Sequence, residues 1–151
     1  MTNHTAYIHC MLIPLEQHYL LLPNTTIAEV IPRIRINPTM DLPEFWLGHI
    51  EWREQTLPVV DMEGLIENKS LNPQQSSKLC ILRGINADAK ISFYAIPCFG
   101  SPQLITLNES ALQQTHDSND SKFLHCQIKI GNKVAFIPNL DNFELNIKLS
   151  K

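Results

Sequence analysis

Pro43 to Met62 reads PEFWLGHIEWREQTLPVVDM and holds, in order, a strand, a tight connection, a second strand and an acidic stop. His49, Ile50, Glu51 and Trp52 alternate polar with apolar side chains, as a strand with one buried face does. Leu57 to Val60 is a short apolar run rich in β-branched residues. The polar Arg53-Glu54-Gln55-Thr56 between them is short enough to close an antiparallel hairpin. Asp61 is placed to cap a short helix over Met62 to Ile66, which Gly64 weakens.

Working outward, ten prolines and many short apolar runs leave little room for long helices. Further strands are expected at Ile8 to Ile13, Tyr19 to Leu22, Ile27 to Ile31, Leu79 to Leu82, Ile91 to Ile96, Leu104 to Leu107, Leu124 to Ile130 and Val134 to Ile137. Gly131-Asn132 supplies the positive φ for a two-residue hairpin between Gln127 to Ile130 and Lys133 to Phe136. Asn108 is placed to cap a second short helix over Glu109 to Gln114. Leu57-Pro58-x-Val60-Asp61-x-x-x-Leu65 recurs as Ile137-Pro138-x-Leu140-Asp141-x-x-x-Leu145, and Tyr19-x-x-Leu22-Pro23 recurs as Phe93-x-x-Ile96-Pro97. The two matches together point to a pair of similar small sheets packed as one unit, joined by the polar Glu67 to Lys78, with Thr115 to Lys122 as a polar loop. The class is all-β with a few short helices, a barrel or sandwich architecture.

At 151 residues the chain is one domain's worth of polypeptide and needs neither disulfide nor metal to close a core. It is 44% apolar and 18% charged with a formal charge of -3, and no Lys/Arg cluster suits a phosphate backbone, which excludes nucleic acid as the expected partner. The apolar stretch from Met11 to Leu15 is cut by Glu16-Gln17-His18 before it serves as a signal or a span, so a cytoplasmic location without membrane insertion is expected. Cys10, Cys80, Cys98 and Cys126 form no CxxC pair and read as reduced core thiols.

Chemistry would have to start from six histidines and those four cysteines. His9-Cys10 and His125-Cys126 lie on strands, where neighbours point to opposite faces, so neither pair meets one metal or acts as nucleophile and base. Glu29, Asp41, Glu44, Glu51, Asp61 and Glu63 are spread over strands and caps rather than paired. No glycine-rich phosphate loop is present. The chain reads as non-catalytic, without metal or cofactor, and a small Cys/His hydrolase or metal enzyme is the rival from another class.

The opening stretch resembles the CheW-like domain of bacterial chemotaxis coupling proteins, whose pattern places Gly, an Arg-terminated strand, a turn and apolar-Pro-apolar-apolar-Asp in this order. Gly48, Arg53, Pro58 and Asp61 stand in those places. Tyr19 to Pro23 with Ile27-Ala28-Glu29-Val30, and Phe136-Ile137-Pro138 with Asp141, resemble the family's second strand and closing segment, so the resemblance covers most of the chain. In its details the sequence is most similar to the ChpC-type variants of chemosensory systems that control type IV pili. The resemblance implies two small five-stranded SH3-like β-barrels with a groove between them. The first barrel would lie mainly over 15–66 and the second mainly over 79–138, completed by the N-terminal strand and C-terminal segment of one domain over 1–151.

It also implies a cytoplasmic adaptor that couples chemoreceptor tips to the regulatory domain of a CheA-like histidine kinase, with other CheW-like proteins as further partners. Ile27, Glu29, Gly48 and Arg53 would then shape the receptor groove. A mutual Glu29 to Arg53 ion pair tying two strands is the structural alternative, and both readings can hold together. Trp52 shares a strand face with Ile50 and is expected in the core ahead of a partner contact. Two departures from the family stand out. Glu54 takes the place of its usual glycine, and Ile96-Pro97-Cys98-Phe99-Gly100-Ser101-Pro102 replaces its Val-Asp-x-Val stretch. The second departure motivates an alternative, an accessory module that binds only receptor or only kinase.

Overall fold

The computed structural model describes residues 7–38, 45–68, 76–108, 113–114 and 121–149. The strands are β1 (Tyr7–Pro14), β2 (Tyr19–Pro23), β3 (Ile27–Pro32), β4 (Trp46–Trp52), β5 (Gln55–Val60), β6 (Lys78–Arg83), β7 (Phe93–Cys98), β8 (Gln103–Asn108), β9 (Gln113–Gln114), β10 (Leu124–Ile130) and β11 (Lys133–Pro138). The helices are α1 (Met62–Glu67) and α2 (Leu140–Leu149). Residues 69–75 and 115–120, most of the linker expected over Glu67 to Lys78 and of the loop expected over Thr115 to Lys122, lie outside the described residues, as do Asp41 and Glu44.

Two sheets form, in the orders β8-β1-β2-β11-β10-β9 and β3-β6-β7-β5-β4. They share one plan. In each, an edge strand flanks an antiparallel hairpin (β1–β2, β6–β7), whose second strand runs parallel to the last strand of another hairpin (β10–β11, β4–β5). The repeats in the sequence are therefore structural: β2 and β7 occupy equivalent places, as do β5 and β11. The division of the chain differs from the expected 15–66 and 79–138. One sheet takes all its strands from 27–98, whereas the other joins β1 and β2 to the distant β8–β11. The antiparallel β1–β8 and parallel β2–β11 pairings do this, the latter with Tyr19 opposite Ala135 and Leu20 opposite Phe136.

Three apolar clusters explain the continuous apolar runs. Leu79, Ile81 and Ala95 point into the interior of one lobe with Ile50 and Val59, and Cys10, Leu12 and Leu21 point into the other with Ile128 and Ala135. The alternate residues Ile13, Leu20, Leu22, Cys80, Leu82, Tyr94 and Ile96 face a shared core between the sheets. Strands buried on both faces lose the polar alternation that marks a half-exposed strand. All four cysteines are free thiols, with Cys10, Cys80 and Cys98 buried.

Both helices line the shared core. Asp61 caps α1 by accepting from the Gly64 N–H at 3.1 Å, and burial pushes its carboxyl up to about 6 although that N–H pulls it down. The expected helix is thus present. α2 was not read from the sequence, although Leu140, Phe143 and Ile147 are buried at helical spacing and Asn139 accepts from the Asn142 N–H at 3.1 Å as its cap. The helix expected over Glu109 to Gln114 is corrected at its end: Gln113 and Gln114 form β9 against Lys129 and Ile128, because the outer edge of β10 offers its backbone groups to an extended segment. Residues 109–112 lie outside the described residues.

Each helix sends one buried carboxylate into the opposite lobe. From α1, Glu63 accepts backbone N–H bonds from Glu16, Gln17 and His18 in the β1–β2 turn at 2.8, 2.9 and 3.0 Å. From α2, Glu144 accepts from the Ile85 and Asn86 N–H groups in the β6–β7 connection, both at 2.8 Å, and from the Tyr94 hydroxyl at 3.2 Å. The lobes are clasped reciprocally.

Candidate partner-binding surface

β3 is the edge of its sheet, and a bulge between Ile27 and Glu29 resets its register against β6. Arg83 pins this irregular stretch, donating from Nη1 to the Thr25 and Ile27 carbonyls at 3.0 and 2.7 Å. Glu29 leaves the bulge toward the β4–β5 turn. There the Trp52 indole N–H donates to Glu29 Oε2 at 2.9 Å and Arg53 Nη2 donates to the same oxygen at 3.1 Å. Arg53 Cζ also lies 4.6 Å from the centre of the Trp52 ring, a cation–π arrangement. The Trp52 ring itself packs in the lobe interior against Phe93, so its core reading holds.

The turn is tighter than expected. Trp52 pairs with Gln55, leaving Arg53 and Glu54 as a two-residue loop with φ of 47° and 64°. Positive φ at both positions is the type I′ pattern, which favours Asn or Gly over these two residues. A left-handed non-glycine residue costs about 1–2 kcal/mol, partly offset by the greater chain entropy of glycine. Glu54→Gly is therefore expected to stabilise the protein by about 1 kcal/mol in urea unfolding, with no change in the slope.

The four expected site residues do not form one cluster. Glu29 and Arg53 meet, whereas Gly48 lies four residues along β4 from Trp52, about 13 Å at the strand rise. Gly48 is buried at a bulge with φ of 136°, and a Cβ there would overlap the Asn37 carbonyl oxygen and lie 3.0 Å from Ile36 Cγ2. This close approach is the bridge by which Asn37 pairs with His49. Ile27 is half-buried and turns toward the shared core.

A second feature was not anticipated at residue level. An open depression of about 350 Å³ is lined by the end of β2 (Leu21 to Pro23), the β11–α2 junction (Ile137 to Asp141) and, from the other lobe, Ile85. Its lining is mainly apolar, with His125, Asn139 and Asp141 as its polar residues. His125 is exposed and Cys126 turns toward the lobe interior, and His9 and Cys10 divide in the same way, as opposite strand faces require. Pro97, one of the two prolines of the altered stretch, sits within β7 opposite Leu79, beyond the single β5–β7 bridge at Ala95, so its missing N–H interrupts no ladder.

A model described as the CheW-like domain matches residues 9–144. A crystal structure described as the scaffolding protein TtCheW from Thermoanaerobacter tengcongensis superposes with a TM-score of 0.71 at 18% identity, covering 93% of this chain and 89% of that one. No curated protein matches. Among the described residues no three His, Cys, Asp or Glu side chains group as a metal site, and no helix is long and apolar enough to cross a membrane.

Proposed function

We propose that this chain, which belongs to the CheW-like domain family, is a cytoplasmic adaptor that couples methyl-accepting chemoreceptors to a CheA-like histidine kinase by binding alone, in a pathway controlling type IV pili. The observation that carries the reading is the family match over 9–144. Two surfaces support it. The interlobe depression offers an apolar seat for a helical receptor tip. The β8 edge, with Leu104 exposed toward one end and Tyr7 and Ile8 of the neighbouring β1 exposed toward the other, suits strand pairing with a homologous kinase domain or another CheW-like protein.

Ile27, Glu29, Gly48 and Arg53 enter this proposal with different roles. Gly48 is structural. Arg53 is 66% exposed, so its guanidinium has the freedom to hold a partner carboxylate in two-point geometry while Glu29 steadies it. Because exposed ion pairs contribute about 0–1 kcal/mol, Arg53→Ala is expected to stay folded and lose no more than about 1 kcal/mol. The departure over Ile96 to Pro102, built into β7 and the turn after it, supports the second reading of a module that binds only receptor or only kinase.

Purified protein and Arg53→Ala should be titrated separately with a chemoreceptor tip and a kinase regulatory domain from the same cells. The adaptor reading expects both to bind the wild type and the receptor to bind the variant more weakly. Binding of one partner alone would establish the accessory role, and binding of neither would sink both. An Arg53→Ala protein that unfolds would leave the pair a structural tie.

A further inference from the structure

Among the residues that line the interlobe depression, Ile85 alone comes from the lobe of β3–β7. Its side chain is 53% exposed, so packing beneath it does not fix where it stands. Its backbone is fixed instead. The Ile85 N–H donates to both oxygens of Glu144, at 2.8 and 3.1 Å, and the Asn86 N–H donates to Oε1 at 2.8 Å. Glu144 is fully buried on α2, which grows directly from the opposite wall, where Leu140 and Asp141 line the depression. Asn86 adds a second tie between the walls, donating from Nδ2 to Asp141 Oδ1 at 2.9 Å.

We infer that Glu144 is a positioning residue of the interlobe seat: its carboxylate, mounted on one wall, holds the Ile85 loop as the other, and so sets the width presented to a receptor helix. This rests on the proposed function. The clasp ties the two walls to each other rather than to a distant frame, so the spacing between Ile85 and Leu140 is fixed over one helical turn. Loss of the acceptor frees two backbone N–H groups of a surface connection, which water can then satisfy, and leaves the buried Tyr94 hydroxyl without its acceptor, at some cost in stability. The expected result is a mobile wall rather than a collapsed fold.

The test compares Glu144→Met, which keeps the volume and removes the acceptor, with Glu144→Gln, which keeps one oxygen facing both N–H groups, and with Ile85→Ala, which alters only an exposed side chain. Amide exchange at Ile85 and Asn86 should rise at least tenfold in Glu144→Met and stay near wild type in Glu144→Gln. Affinity for the chemoreceptor tip should fall about tenfold in Glu144→Met and in Ile85→Ala, and no further in the double variant, while kinase-domain affinity stays unchanged. Unchanged exchange in Glu144→Met, additive losses in the double variant, or full tip affinity in Ile85→Ala would each overturn the inference while leaving the adaptor function standing. If Glu144→Met does not fold, the Ile85→Ala affinity and the near-native exchange of Glu144→Gln decide. Failure of the wild type to bind any tip would overturn both.

Discussion

Gly48→Ala is expected to lower the unfolding free energy by about 3 kcal/mol or more, a large part of the roughly 5–15 kcal/mol available to a domain of this size. Two costs act together at this position. A φ of 136° lies where L side chains are strained, and the added methyl would meet the Asn37 carbonyl, which is backbone and cannot rotate away. Relief would require β4 to part from the segment over 36–37, breaking the reciprocal N–H to carbonyl bonds of 2.8 and 2.9 Å between Asn37 and His49. Gly131 is the control. Its φ is 62°, but nothing lies within 4 Å of a Cβ there, so Gly131→Ala is expected to lose only about 1 kcal/mol from backbone strain. Urea unfolding of the two variants separates strain from collision. A loss below about 1 kcal/mol in Gly48→Ala would mean that β4 yields readily at its bulge.

Alternation and turn chemistry made the local structure legible. The hairpin at Gly131, the Asp61 cap and the paired motifs at Leu57-Pro58 and Ile137-Pro138 depend on neighbours within a few residues, and each is present. The allocation of strands to sheets depends on the meeting of Tyr19 with Ala135, separated by most of the chain, and nothing in the periodicity marks a parallel pair of that kind. α2 was missed for a different reason. Leu140, Phe143 and Ile147 do carry a helical period, but Asp141, Asn142, Glu144 and Asn146 are interspersed among them and dilute its apolar pattern. Of the candidate site, the Glu29 to Arg53 pairing came from the family pattern rather than from spacing, and the structure keeps it while moving Gly48 away. Glu63 and Glu144 were invisible as interlobe ties because residue type argues for solvent. The available signal was their place on the apolar side of a helix, next to Met62 and Ile66 or to Phe143 and Ile147.

Glu63→Ala is expected to lower stability by about 3–5 kcal/mol, since hydrogen bonds to a charged acceptor contribute about 1.5–3 kcal/mol each and some of the loss is recovered by water. Glu63 is 3% exposed and receives three successive N–H groups, and the His18 ring lies with Nδ1 3.1 Å from Oε2 while stacking on Phe136 at 4.4 Å. Truncation therefore removes the acceptor that shapes the whole β1–β2 turn and the support that orients His18 over the core. Glu63→Gln is expected to lose about a third as much, because one oxygen still faces Gln17 and His18 while its amide confronts the Glu16 N–H. Unfolding should stay a single transition in both variants. The shared core of Leu20, Leu22, Leu82, Tyr94 and Phe136 joins the lobes independently of the clasp, so they lose stability together rather than separating. Two resolved transitions would show that the carboxylate, not the core, holds the lobes as one cooperative unit. A Glu63→Ala loss below about 1 kcal/mol would show that water serves the Glu16 to His18 amides as well as the carboxylate does.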